Sequence, residues 1–212
     1  MSLLLTFVTS LMLGMRHATD PDHIVAVTTI VARERSVLKS AGIGAVWGLG
    51  HTITLLVVGG AIIAFKIGFN ARLGLSMELA VAIMLIVLGL LNLFDVRMTT
   101  RAATAARPFF VGVVHGLAGS AAAALLIVPL LDDARWAALY LLTFGLGTIV
   151  GMSVITLSIA MPSLLAAAHV LSLQRSLRLA SGAVSLVFGL YLAQKIGFAD
   201  GLFTANPQWT PR

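Results

Sequence analysis

The stretch Met15-Arg16-His17-Ala18-Thr19-Asp20-Pro21-Asp22-His23 sets two histidines, two aspartates and an arginine into a run otherwise apolar and long enough to cross a membrane. Each charged side chain at a bilayer centre costs about 2.5–3.5 kcal/mol on insertion scales, so such clusters persist where they handle ions or substrates. Imidazole with carboxylate is also a ligand set for divalent transition metals. The same stretch predicts a broken helix, because Pro21 lacks an amide donor and disfavours α geometry at Asp20. Segment 3–32 exceeds one crossing, yet its apolar halves are each too short to cross alone.

Outward from this cluster the chain is apolar almost throughout. Of its 212 residues, 59% are hydrophobic and 10% charged, with a mean hydropathy of +1.02. Soluble domains carry about 25% charged residues, so an all-α polytopic membrane protein is expected. Six spans are predicted at 3–32, 40–65, 76–94, 109–131, 136–161 and 175–197, each near the ~20 residues a crossing needs. They form one membrane domain over 1–212 with a short tail at 198–212, where Gln208 and Trp209 suit an interfacial anchor. The lack of cysteine excludes disulfides and thiolate metal sites. A net charge of +6 spread over short loops suits membrane topology and lipid, not nucleic acid. The N-terminus lacks the basic region of a cleavable signal, so Leu3 onward is expected to be a retained span.

The two halves look like copies. Gly14-x-x-His17 recurs as Gly112-x-x-His115, 98 residues on, and Gly48-Leu49-Gly50 as Gly145-Leu146-Gly147, 97 residues on. Leu79-Ala80, Val87 and Gly89-Leu90 recur 100 residues on as Leu179-Ala180, Val187 and Gly189-Leu190. These matches predict a three-plus-three duplication, 3–94 and 109–197. A three-span unit is odd in number, so its second copy enters from the opposite face: an inverted repeat, an architecture recurrent in transporters with a midplane site. Loops after spans 1, 3 and 5 hold eight Lys and Arg against five on the other side. Both termini are therefore expected outside the cytoplasm of a cell (inner) membrane.

In a straight helix His17 and His23 would lie about 240° apart around the axis. An unwound turn at Thr19-Asp20-Pro21 would bring His17, Asp22 and His23 around one ion, with freed carbonyls lining a cavity. The bland alternative is a set of satisfied polar groups at a kink. Asp20 either caps the following half-helix or joins the site, and Arg16 either pairs with Asp20 or Asp22 or snorkels to an interface. His51, mid-span in a glycine-rich setting that permits close helix approach, reads as a ligand or gate, or else as a structural histidine. Thr52 and Thr54 offer hydroxyls, though bonding back to their own helix is the commoner role. His115 occupies the repeat position of His17. With Ser120 it is a candidate secondary ligand or pathway contact, while the second copy has no carboxylate matching Asp22. Glu78, Asn92, Asp95, Asp132, Asp133 and His169 read as structural or loop residues.

These residues resemble the nickel/cobalt transporter family, whose signature is His-x4-Asp-His in a membrane helix, matched by His17, Asp22 and His23. A second family block, Leu-Gly-His followed by a small hydroxyl residue, resembles Leu49-Gly50-His51-Thr52. The resemblance implies that His17, Asp22 and His23 select the ion and that His51 assists. Larger members carry more spans and further acidic motifs, absent from Gly116–Ser120 and Gly145–Met152 here. In size, and in its His115-Gly-Leu-Ala-Gly-Ser120 block, the chain is similar to the short, urease-associated nickel permeases of that relationship. The expected cargo is then Ni2+ or Co2+, with no permanently bound cofactor. A homo-oligomer or a metallochaperone is a candidate partner.

Two other classes compete. An intramembrane enzyme would use a His115–Ser120 dyad or a hydrolytic metal centre, but each needs an aligned nucleophile or water that nothing else in the chain supplies. A transporter for an amino acid or another small solute shares the repeat, but does not require the His-x4-Asp-His block. Alternating access about a midplane ion is the mechanism expected. Ligand histidines must be deprotonated, so binding should weaken as pH falls toward about 6.5. No Walker loop is present, so the chain itself has no recognisable ATP site.

Overall fold

A computed structural model describes residues 3–32, 34, 36–65, 70–96, 101–117, 134–167 and 171–209. Every regular element among them is helical: α1 (Leu3–His17), α2 (Pro21–Val31), α3 (Val37–Phe65), α4 (Ala71–Leu93), α5 (Arg101–His115), α6 (Ala134–Ala167) and α7 (Leu171–Gln194). A π-helical turn, Lys195–Ala199, follows α7. Within α3, α4, α6 and the α7–π unit, the segments Val37–Ala61, Ala71–Leu93, Arg135–Met161 and Arg175–Ala199 are long and apolar enough to cross a membrane.

The first apolar segment breaks where Pro21 requires. At about 1.5 Å per residue, the 15 residues of α1 and 11 of α2 extend roughly 22 and 16 Å, and neither reaches across a ~30 Å hydrocarbon core. Between them Thr19 N and Asp20 N donate to Arg16 O and His17 O, a tight turn that ends α1 on His17. Pro21 stands at the start of α2, where its missing amide costs nothing.

Helix ends depart from the expected spans where hydropathy and helix formation separate. Asn70 caps α4 by accepting from Leu73 N at 2.8 Å, so that helix starts ahead of its apolar run. Its other end closes with Asp95 at φ 54°, and Val96 N reaches Leu91 O, a Schellman closure in which aspartate tolerates the left-handed position. Helix α5 begins at Arg101, because the alanine-rich stretch before Pro108 is a good helix former although it is not membrane-apolar. Residues 118–133 and 168–170 lie outside the described set, and with them most of the fourth expected span, Ser120, Asp132, Asp133 and His169.

The main packing pairs are α3 with α6, α4 with α7, α1 with α6 and α3 with α5. Close approach rests on glycine. A Cβ at Gly14 would collide with Phe144 O and Thr148 N on α6, and one at Gly112 with Trp47 O and His51 N on α3. Outward, Leu49, Ile53 and Val57 on α3 and Leu142, Leu146, Val150 and Val154 on α6 form exposed stripes at four-residue spacing. In water such faces would be a liability; in a bilayer they are the lipid contact. The tail turns back on the bundle. The Trp209 ring lies against Gly74, and Nε1 donates to Glu78 Oε1 at 3.0 Å, so Trp209 is packed on protein rather than projecting as an anchor. Asn92, near the opposite end of α4, donates to Thr29 O at 2.8 Å and ties α4 to α2.

Candidate metal centre

Four histidines converge where α1 ends, α2 begins, α3 passes and α5 ends. His23, His51 and His115 are fully buried and His17 is 6% exposed. Ring centroids of His23 lie 4.4 Å from His17, 4.0 Å from His115 and 5.7 Å from His51. His17 Nε2 and His51 Nε2 are 3.2 Å apart. Two imidazole nitrogens bound to one ion at about 2.0–2.1 Å would be separated by roughly 3.0–3.4 Å, so this spacing suits a shared cation.

The carboxylates orient the rings. Asp20 Oδ2 lies 2.7 Å from His17 Nδ1, and Asp22 Oδ1 lies 3.1 Å from His23 Nδ1. A neutral imidazole that donates from Nδ1 carries its lone pair on Nε2, the arrangement that carboxylates impose on metal-binding histidines. His23 Nε2 has no hydrogen-bond partner, nor do His51 Nδ1 and His115 Nδ1. Leaving a buried ring nitrogen unpaired costs about 1–3 kcal/mol, a cost that an ion held by His23 Nε2 removes there. Two groups of three gather ligand atoms within 4.8 Å of one another: His17, His23 and His51, and Asp22, His23 and His115.

The candidate residues among those described take definite places, and Ser120 lies outside that set. Asp20 is the N-cap residue of α2 but makes no side-chain cap bond; its carboxylate is on His17 instead. Arg16 makes no ion pair with Asp20 or Asp22 among the described residues, and its carbonyl accepts from Thr19 Oγ1 at 2.6 Å. Thr52 Oγ1 lies 2.7 Å from Gly48 O and 3.1 Å from Gly145 O, tying α3 to α6. Thr54 Oγ1 makes the corresponding link toward α5, at 3.0 Å from Val113 O. His115 is brought in by Asp22, whose Oδ2 lies 3.0 Å from its Nε2.

Two residues that sequence reasoning alone does not single out wall the cluster. Trp47 stacks on His23 at 5.9 Å with rings 14° from parallel, and lies 5.5 Å from His115. Phe144 lies 5.7 Å from His17. Both stand immediately before the repeated Gly-Leu-Gly, in Trp47-Gly48-Leu49-Gly50 and Phe144-Gly145-Leu146-Gly147, and that position is the signal available for finding them.

Fold and site together define a helical membrane protein with a buried imidazole–carboxylate cluster among its helices. The chain is 33% identical over 209 residues to the urease accessory protein UreH of Bacillus sp. (strain TB-90), covering 90% of this chain and 91% of that one. It belongs to the UreH family of urease accessory proteins, which is an accessory-protein family and not an enzyme family. No family model matches the chain, and no solved structure does.

Proposed function

We propose that the protein carries a divalent transition-metal ion, nickel or cobalt, across the membrane through the histidine cluster by alternating access. The observation that carries this reading is the convergence of His17, His23 and His51 inside an apolar bundle, with His23 Nε2 buried and without a hydrogen-bond partner and Asp22 at hand. Groups so placed are costly unless they meet a cation. The kinship with a urease accessory protein, and the resemblance to urease-associated nickel permeases, favour nickel. His17, Asp22, His23 and His51 are the ion-handling residues, and the site belongs to a single membrane domain.

An inverted three-plus-three repeat, 3–94 and 109–197, completes the proposal. Its support is reciprocal packing. Gly14 meets residues 144 and 148, while Gly112 meets 47 and 51, each 97 earlier. Gly89 packs on Gly182 and Leu186, while Gly189 packs on Ala82 and Ile86, each 100 earlier. A two-fold exchange of halves predicts such pairs, and α1 and α5 would then both end at the cluster from opposite faces. Broken helices with their C-terminal ends at a central cation site recur in inverted-repeat transporters.

The test is accumulation of radioactive nickel and cobalt in cells expressing the chain, beside His23→Ala at matched membrane levels. Raised accumulation that the substitution abolishes is the outcome for an importer, and lowered accumulation, likewise abolished, for an exporter. No change in either metal contradicts the proposal.

A further inference from the structure

We propose that the cluster contains two overlapping cation stations sharing His23, and that a single ion passes between them. The inference rests on the transport reading above. One station is all imidazole: His17, His23 and His51. The other is mixed: Asp22, His23 and His115.

Three observations carry this. First, the ring nitrogens of His23 serve different groups. Nδ1 lies 3.1 Å from Asp22 Oδ1, beside the mixed station, whereas Nε2 has no partner and is the nitrogen left for His17 and His51. A neutral imidazole offers one lone pair at a time, so His23 serves one station or the other and the pair holds one ion, not two. As the ion moves to the mixed station, the His23 proton passes from Nδ1 to Nε2 and the His115 proton from Nε2 to Nδ1, with no net proton gained or lost. Second, Asp22 spans the step, with Oδ1 on His23 and Oδ2 3.0 Å from His115 Nε2. Third, the unshared histidines meet different aromatic walls, Phe144 beside His17 and Trp47 beside His115, while Trp47 also stacks on the shared His23.

The stations also draw on different parts of the chain. His17, His23 and His51 come from α1, α2 and α3, whereas His115 comes from α5. An ion entering the mixed station therefore joins the two halves of the sequence, and movement of one half against the other would separate His115 from His23. The ligand sets differ in charge as well: three neutral rings at one, two rings and a carboxylate at the other.

The experiment is Co2+ titration of the purified full-length protein, read by the ligand-field absorption of the bound ion, with nickel uptake measured on the same variants. Wild type is expected to bind one Co2+. His51→Ala and His115→Ala are each expected to keep one bound Co2+, with spectra that differ from one another, while nickel uptake falls at least tenfold in both. His23→Ala is expected to bind none. His51→Gln and His115→Gln, which keep side-chain bulk, repeat the comparison for any alanine variant that is not monodisperse. Loss of all Co2+ binding in either single variant would show one undivided site and overturn the proposal. Unchanged uptake in His115→Ala would overturn it too, while leaving the transport reading intact if His23→Ala still abolishes uptake. A wild-type protein that binds no Co2+ and moves no nickel would fail both.

Discussion

The Nδ1 side of His17 is held by the 2.7 Å approach of Asp20 Oδ2, made possible by the turn that ends α1. Removing that carboxylate lets the ring rotate and carry its proton on the wrong nitrogen. Loss of such partners typically costs 10–100-fold in metal affinity, so Asp20→Asn should weaken nickel binding by about that factor, measured by equilibrium binding to purified protein. Thr19→Ala, whose hydroxyl only bonds back to Arg16 O, should change nothing. The charges at 16–23 make the site visible in the sequence, but not the division of labour within it. Asp20 reads equally as a cap because a cap bond and a histidine bond compete for the same carboxylate from the same position. His115 is legible through its proposed repeat with His17 and its His-Gly-Leu-Ala-Gly-Ser block but not through its partner, since its bond to Asp22 spans 93 residues of chain.

At the scale of helices, the break before Pro21 can be read from local chemistry, and it forms where backbone sterics demand. Helix ends cannot: α5 starts before its apolar run and α4 at an asparagine cap, because helix formation and membrane partition are separate preferences. The helix pairs that bring His51 and His115 to His23 depend on which glycine meets which backbone, and a single chain shows the glycines without their partners. Gly112→Leu would drive a side chain into Trp47 O and His51 N. Overpacking costs about 1–3 kcal/mol or more, so its thermal midpoint should fall clearly below wild type and metal binding should fall with it. Gly42 has open space where a Cβ would stand, with no neighbouring atom within 4 Å. Gly42→Ala should therefore leave the midpoint unchanged or raise it, by up to about 1 kcal/mol of helix propensity.

For the whole molecule, the proposed repeat makes Lys39 and Trp136, 97 residues apart near the starts of α3 and α6 and both exposed, equivalent positions. In an inverted repeat, equivalent residues lie on opposite sides of the midplane. The chain has no cysteine, so Lys39→Cys and Trp136→Cys need no further substitution before thiol labelling. A membrane-impermeant reagent should reach them from opposite faces. Labelling of both from one face would contradict the inverted arrangement. The most direct test of transport at the histidine cluster is nickel entry into proteoliposomes that contain the purified chain alone, wild type beside His23→Ala, under an imposed gradient of the metal. Entry above protein-free vesicles that His23→Ala abolishes is the expected result. Equal entry in the two proteins, or none above protein-free vesicles, would contradict transport through this cluster.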